Sequence, residues 1–124
     1  SDGECQEGTT WESSLIASHH KLDNLAVILD YNKIQALGKI EDILSLESLK
    51  SKFESFGWHV SEVNGHNFLD LISALQLKIN KPYMIIAHTT KGKGVSFIEN
   101  NPEWHSKRPT PERLYPAYEE LNLK

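Results

Sequence analysis

From Thr9 onward the chain sets apolar residues at helical intervals: in TTWESSLIASHHKL, Trp11, Leu15, Ile16 and His19 recur at that spacing, and the small Ser13, Ser14, Ala17 and Ser18 permit close packing. The pattern predicts a helix from Thr9 to about Lys21. NLAVILDYN follows, with an unbroken apolar run from Leu25 to Leu29 between Asn24 and Asp30. Such a run predicts a strand buried on both faces, with its carboxyl end at Asp30 to Asn32. After a polar loop, SLESLKSKFESFG offers Ser45 as an N-cap, apolar Leu46, Leu49, Phe53 and Phe56, and Gly57 as a C-terminal stop. WHVSEV alternates as a strand, and GHNFLDLISALQLKI places Phe68, Leu71, Ile72, Leu75 and Leu77 on an amphipathic helix. PYMIIAHTT predicts another buried strand, and a terminal helix is expected from about Pro111 to Leu121.

Helices alternating with strands imply right-handed crossovers, so the expected class is α/β with an open, mostly parallel sheet and helices on both faces. In such sheets ligands collect outside the carboxyl ends of the strands. That rule directs attention to Asp30 to Asn32, Asn64 to Asn67 and His88 to Gly94. Beyond Val95 the segment FIENNPEWHSKRPTPE is irregular, either a surface arm or a binding loop.

Composition narrows the classes. With 124 residues, 39% hydrophobic and 24% charged, the chain reads as one domain or part of one, and disordered and fibrous classes are excluded. A net charge of -4 argues against nucleic-acid or membrane-surface partners, which call for a basic patch. The single cysteine, Cys5, cannot form an internal disulfide and lacks a metal-type spacing, which suits a reducing compartment. No stretch reaches the roughly 18 apolar residues of a membrane span, and the start shows no signal-peptide pattern. The cytoplasm is the expected location.

DGECQEG, at residues 2–8, supplies a carboxylate and two glycines ahead of a helix, while Asn32 stands at the end of the first strand. Hard oxygen donors beside backbone N–H groups suit a divalent cation completed by phosphate oxygens. Alone, an Asp-Gly pair with a distant Asn is a common coincidence. The longer words are more specific. DGECQEGTTWE, HHKLDNLAVILDYNKIQ, FGWHV, VNGHNF and HTTKGKGVSFIENNPEWH, in that order, resemble the thiamine-diphosphate-binding domain of transketolases, above all the N-terminal subunit of split forms. The likeness covers nearly the whole chain.

The resemblance implies that Asp2 and Asn32 hold Mg²⁺ (or Ca²⁺) through side-chain oxygens, with the backbone carbonyl of Ile34 as third ligand. It places Gly3, Glu4 and Lys91, beside Gly92, at thiamine diphosphate, and makes His105 a catalytic histidine near both the diphosphate and the substrate sugar. Glu7 and Glu12 match positions at the interface with a second subunit. Read from physics alone, Glu7 and Glu12 are also acids suited to a helix N-terminus, and His105 is also a solvated loop histidine. His19 and His20 read as packing beside the helix, and His66 as part of a helix entrance.

What the resemblance implies for function is a transferase moving a two-carbon ketol unit between sugar phosphates. Related readings are a 1-deoxyxylulose-phosphate-synthase-like enzyme of the same superfamily, or a non-catalytic interaction module that keeps the fold. The family carries a segment before this motif, with a further strand and diphosphate-contacting histidines, and a glutamate in a separate pyrimidine-binding domain. Residues 1–124 are therefore expected to be an N-terminally incomplete domain, with a core at about 1–98 and an arm and terminal helix at 99–124. Activity is expected to require complementary chains, because a sheet edge left open promotes association. Two positions depart from the family pattern: Ser1 stands where a glycine is usual, and Tyr31 replaces a polar residue before Asn32.

Overall fold

A computed structural model describes residues 1–123; Lys124, the end of the expected arm and terminal helix segment, lies outside the described residues. Three parallel strands form the main sheet: β1 (Ala26–Tyr31), β4 (His59–Asn64) and β5 (Tyr83–His88), in the order β1-β5-β4. The register aligns Tyr31 and Asn64 with His88, so all three carboxyl ends finish level. The expected α/β class is observed.

β5 is the strand buried on both faces, with Tyr83 to Ala87 all enclosed. β1 corrects the reading of its sequence. Its apolar run is continuous, yet only Leu29 and Tyr31 are buried, while Ile28 on the opposite face is 51% exposed. The cause is position: β1 lies at the edge, and within this chain only one of its faces is covered.

The helices are α1 (Gly8–His19), α2 (Ile40–Ile43), α3 (Leu49–Ser55), α4 (Phe68–Leu75) and α5 (Pro111–Glu120). Side chains from α1 and α3 build the larger core against Leu29, Val60, Met84 and Ile86. Phe53 lies within it, its ring 5.1 Å from Trp11 and 5.9 Å from Trp58. The face of α1 turned inward carries Ser14 and Ala17, while Leu15 and Ile16 are exposed, contrary to the apolar spacing. Small residues let the helix approach closely enough for the Trp58 indole N–H to donate to the Ser14 carbonyl at 3.0 Å. On the opposite face α4 contributes Ala74 to a thinner layer with Tyr83 and Ile85, and its expected apolar stripe of Phe68, Ile72 and Leu75 is exposed.

Three local features escape periodicity because they are short. The expected loop after β1 contains a hairpin of β2 (Ile34–Gln35) and β3 (Gly38–Lys39), followed directly by the single turn of α2. Gly38 adopts φ 140°, which favours glycine at the hairpin turn. The cap of α3 is Ser48 rather than Ser45: the Ser51 N–H donates to the Ser48 hydroxyl. Leu46 is buried just outside that helix, so core packing rather than helix membership explains its apolar character.

Candidate functional site

The site forms where the first turn of the chain meets the carboxyl end of β1. Asp2 precedes a 3₁₀ turn, Gly3–Gln6, whose first N–H, on Gly3, donates to one carboxylate oxygen of Asp2 at 2.8 Å. Lys33 takes a left-handed backbone conformation, φ 64°, immediately after Asn32. That turn directs the Lys33 N–H to the other Asp2 oxygen at 2.7 Å, joining residues 31 apart. The Asn32 side-chain oxygen accepts from the Ile34 N–H at 3.0 Å. Asp2 is only 2% exposed, and no cationic side chain among the described residues pairs with it. A buried carboxylate left without a counter-charge is costly, and backbone N–H groups offset only part of that cost.

Asp2, Gly3, Asn32 and Ile34 line a cleft of about 590 Å³, which Lys91 and His105 close from the other side. Lys91 follows β5 in the loop that begins at Thr89; the Lys91 ammonium donates to Nδ1 of His105 across 3.3 Å. The loops beneath are tied together: Nε2 of His66 accepts from the Thr90 N–H at 2.7 Å. A Cβ on Gly65 would overlap the Thr89 methyl and sit 3.2 Å from the His88 carbonyl oxygen, so this position beside the end of β5 favours glycine. His66 thus serves the loop after β5 as well as the entrance to α4.

The rim holds the remaining expected residues. Glu4 borders the cleft, and its carboxylate accepts a hydrogen bond from the Ser1 hydroxyl at 2.9 Å. Glu7 caps α1, is exposed, and also borders the cleft; Glu12 is exposed farther along α1 and does not reach it. His19 and His20 meet edge to face at 5.1 Å on the exposed end of α1. Asp30, at the strand end singled out from the sequence, accepts a hydrogen bond from the Thr89 hydroxyl. One lining residue is new: Gln35 packs beside Gly3 with a buried Nε2 that has no partner among the described residues. Gln35 sits in NKIQ three residues after Asn32, but only the unforeseen hairpin turns it toward the cleft.

Tyr31, the departure beside Asn32, has a structural role. It is buried, its hydroxyl donates to Glu47 at 2.5 Å, and its ring meets His88 edge-on at 5.5 Å. Burial, then the Glu47 hydrogen bond, pushes the phenol well above its ordinary range. A raised folded value means that the neutral form is favoured by folding. This contribution is complete below the unfolded value of about 10 and is lost as pH rises through the folded value. In thermal melts, Tyr31→Phe is expected to flatten the decline of stability above about pH 10 and to cost about 1 kcal/mol at neutral pH. An alkaline slope identical to that of the parent chain would remove Tyr31 as its source.

Among the described residues no three His, Cys, Asp or Glu side chains converge as a metal cage. The oxygen donors that line the cleft are instead the carboxylates of Asp2, Glu4, Glu7 and Asp30 and the carboxamides of Asn32 and Gln35, of which Asp2 is the buried one. That set fits a hard divalent cation whose coordination is completed by oxygens of a phosphorylated ligand.

The model of the family described as "Transketolase, thiamine diphosphate binding domain" matches residues 1–110. The chain is 46% identical over 122 residues to a subunit of apulose-4-phosphate transketolase from Actinobacillus succinogenes, covering 97% of this chain and 44% of that protein. It is 41% identical over 123 residues to a subunit of 6-deoxy-6-sulfo-D-fructose transketolase from a Clostridium species, covering 97% and 45%. The crystal structure of transketolase from Campylobacter jejuni superposes with a TM-score of 0.92 at 34% identity, covering 98% of this chain and 20% of that one. The chain spans under half the length of these relatives.

Proposed function

The chain belongs to the transketolase thiamine diphosphate binding domain family, and from that premise we propose that its cleft takes the diphosphate of thiamine diphosphate through Mg²⁺ (or Ca²⁺). The whole acts as part of a cytoplasmic transferase moving a two-carbon ketol unit between sugar phosphates. Asp2 carries the reading: a carboxylate 2% exposed, uncompensated by any cation among the described residues, at the wall of a cleft rich in oxygen donors. A divalent cation supplies the missing charge.

In this reading the Asp2 carboxylate, the Asn32 side-chain oxygen and the Ile34 carbonyl hold the metal. Gly3 and Glu4 flank the diphosphate, and the Lys91 ammonium faces its negative charge. His105, placed by its contact with Lys91, orients the sugar beside the cofactor. When bound, thiamine diphosphate supplies the electron sink for cleaving the bond next to the ketose carbonyl. The protein's part is to bind, orient and set the local field. Residues 1–98 form the core of this partial domain, with an arm and terminal helix beyond. Glu7, at the N-cap of α1, and Glu12, on it, are both exposed and face a complementary subunit that carries the pyrimidine-binding domain. The names of the relatives, which describe them as subunits, support such a division.

Differential scanning calorimetry tests the site. At a hundredfold excess over Kd, thiamine diphosphate with Mg²⁺ is expected to add about 2.7 kcal/mol to stability, and a chelator to remove it. With the complementary chain present, phosphorylated or sulfonated ketoses of the kind named for the relatives are the donors to try first, against pyruvate as the alternative. Absence of any cofactor-dependent stabilisation, in the chain or its assembly, would sink the reading.

A further inference from the structure

Lys91 and His105 stand at the two ends of a segment that contributes no strand to the sheet, and that segment must be held from elsewhere. Some of its order is internal. The Asn100 N–H donates to the Lys91 carbonyl at 2.9 Å, and Ile98 packs on Gly92, which adopts φ 70°. The rest comes from α5. Glu120, its last residue, accepts from the Ser96 N–H at 2.5 Å and from the Ser96 hydroxyl at 2.8 Å. Arg113, in the first turn of α5, lies 5.0 Å over the Phe97 ring, and Phe97 in turn meets Trp104 at 5.3 Å. Leu121 closes against Gly94 so tightly that a Cβ there would sit 3.0 Å from it. All of α5 lies beyond residue 110, where the match to the family model ends.

We propose that Glu120 is a positioning residue: through Ser96 it fixes the Lys91–His105 segment across the cleft, which makes α5 part of the functional unit. A two-pronged bond to an ionised acceptor is stronger and more directional than a neutral one. It anchors the midpoint of the segment, from which Phe97 and Trp104 carry the placement to His105. Displacement of a group that orients ligand costs far more in function than in stability. The diphosphate arm of the test rests on the proposed function; the histidine arm does not.

The experiment uses the full chain in the assembly it forms in solution, with Glu120→Ala, Glu120→Gln and Ser96→Ala. Two quantities are read: the NMR signals of the His105 ring without ligand, assigned by their loss in His105→Gln, and the affinity for thiamine diphosphate with Mg²⁺. Glu120→Ala is expected to move the His105 signals and to weaken affinity roughly tenfold. Glu120→Gln, which still accepts from the Ser96 N–H and donates to its hydroxyl, is expected to restore both. Ser96→Ala, keeping only the backbone bond, is expected to shift the His105 signals in the same direction by less. Unmoved His105 signals in Glu120→Ala, whatever its melting temperature, overturn the proposal; if that variant does not fold, unmoved signals in Ser96→Ala do so. A parent chain that binds no thiamine diphosphate while Glu120→Ala still moves His105 overturns the cofactor reading and upholds the positioning role.

Discussion

Asp2→Asn is expected to leave a folded chain that no longer gains stability from Mg²⁺ and thiamine diphosphate, a loss of about 2.7 kcal/mol at a hundredfold excess over the parent Kd. The reasoning separates two jobs of one carboxylate. Its oxygens accept from the N–H groups of Gly3 and Lys33, and in the proposed function its charge also holds the cation. Asparagine keeps one acceptor and the shape while removing the charge. Asp2→Ala goes further, since both N–H groups then lose their partner, and is expected to cost about 2 kcal/mol more even without ligand. Melting the two variants with and without metal and cofactor distinguishes the jobs: an unchanged ligand-induced rise in Asp2→Asn means that Asp2 does not hold the cation.

The largest effect on folding itself is expected at Phe53. Its side chain is 0% exposed and fills the space between Trp11 and Trp58. Truncation to alanine removes apolar burial and leaves a cavity that two rigid indoles cannot close, at a cost of about 3–5 kcal/mol. Against the roughly 5–15 kcal/mol that holds a domain together, that loss brings the chain near unfolding at 37 °C. Phe68→Ala is the matched comparison. Phe68 is 81% exposed, and its removal is expected to change stability by no more than about 0.5 kcal/mol. Urea midpoints of the two variants check both values; comparable destabilisation would show that α4 packs more tightly than its exposure indicates.

Much of this architecture is legible in the residues because burial leaves periodic traces. The run from Tyr83 to Ala87 reads as a central strand and is one. The similar run in β1 misleads, because apolarity records that a strand belongs to a sheet but not which face of it is covered. Ser45 and Ser48 are equally good caps by type; Ser48 is chosen because it lets Leu49 and Phe53 face the core together. At the site, Asp2 and Asn32 carry chemistry that their types announce, and family words supply their pairing. The role of Gln35 is not legible because a two-residue strand has no period; the helix from Pro111 is legible, but its grip on Ser96 is not, because that depends on tertiary contact alone.

The strand order also governs when this chain can fold. β5 is made after β1 and β4 and lies between them, pairing with β1 on one side and β4 on the other. On the ribosome, where elongation proceeds at about 5–20 residues per second, β1 and β4 emerge seconds before the neighbour that joins them. Their pairing joins segments far apart in the chain, the kind of contact that slows folding. Phe53 and Trp58 can meet Trp11 and α1 earlier, but the faces of the core that Met84 and Ile86 cover stay open until residues 83–88 are made. A nascent chain stopped short of Tyr83 lacks the strand that joins β1 to β4 and has no route to this sheet.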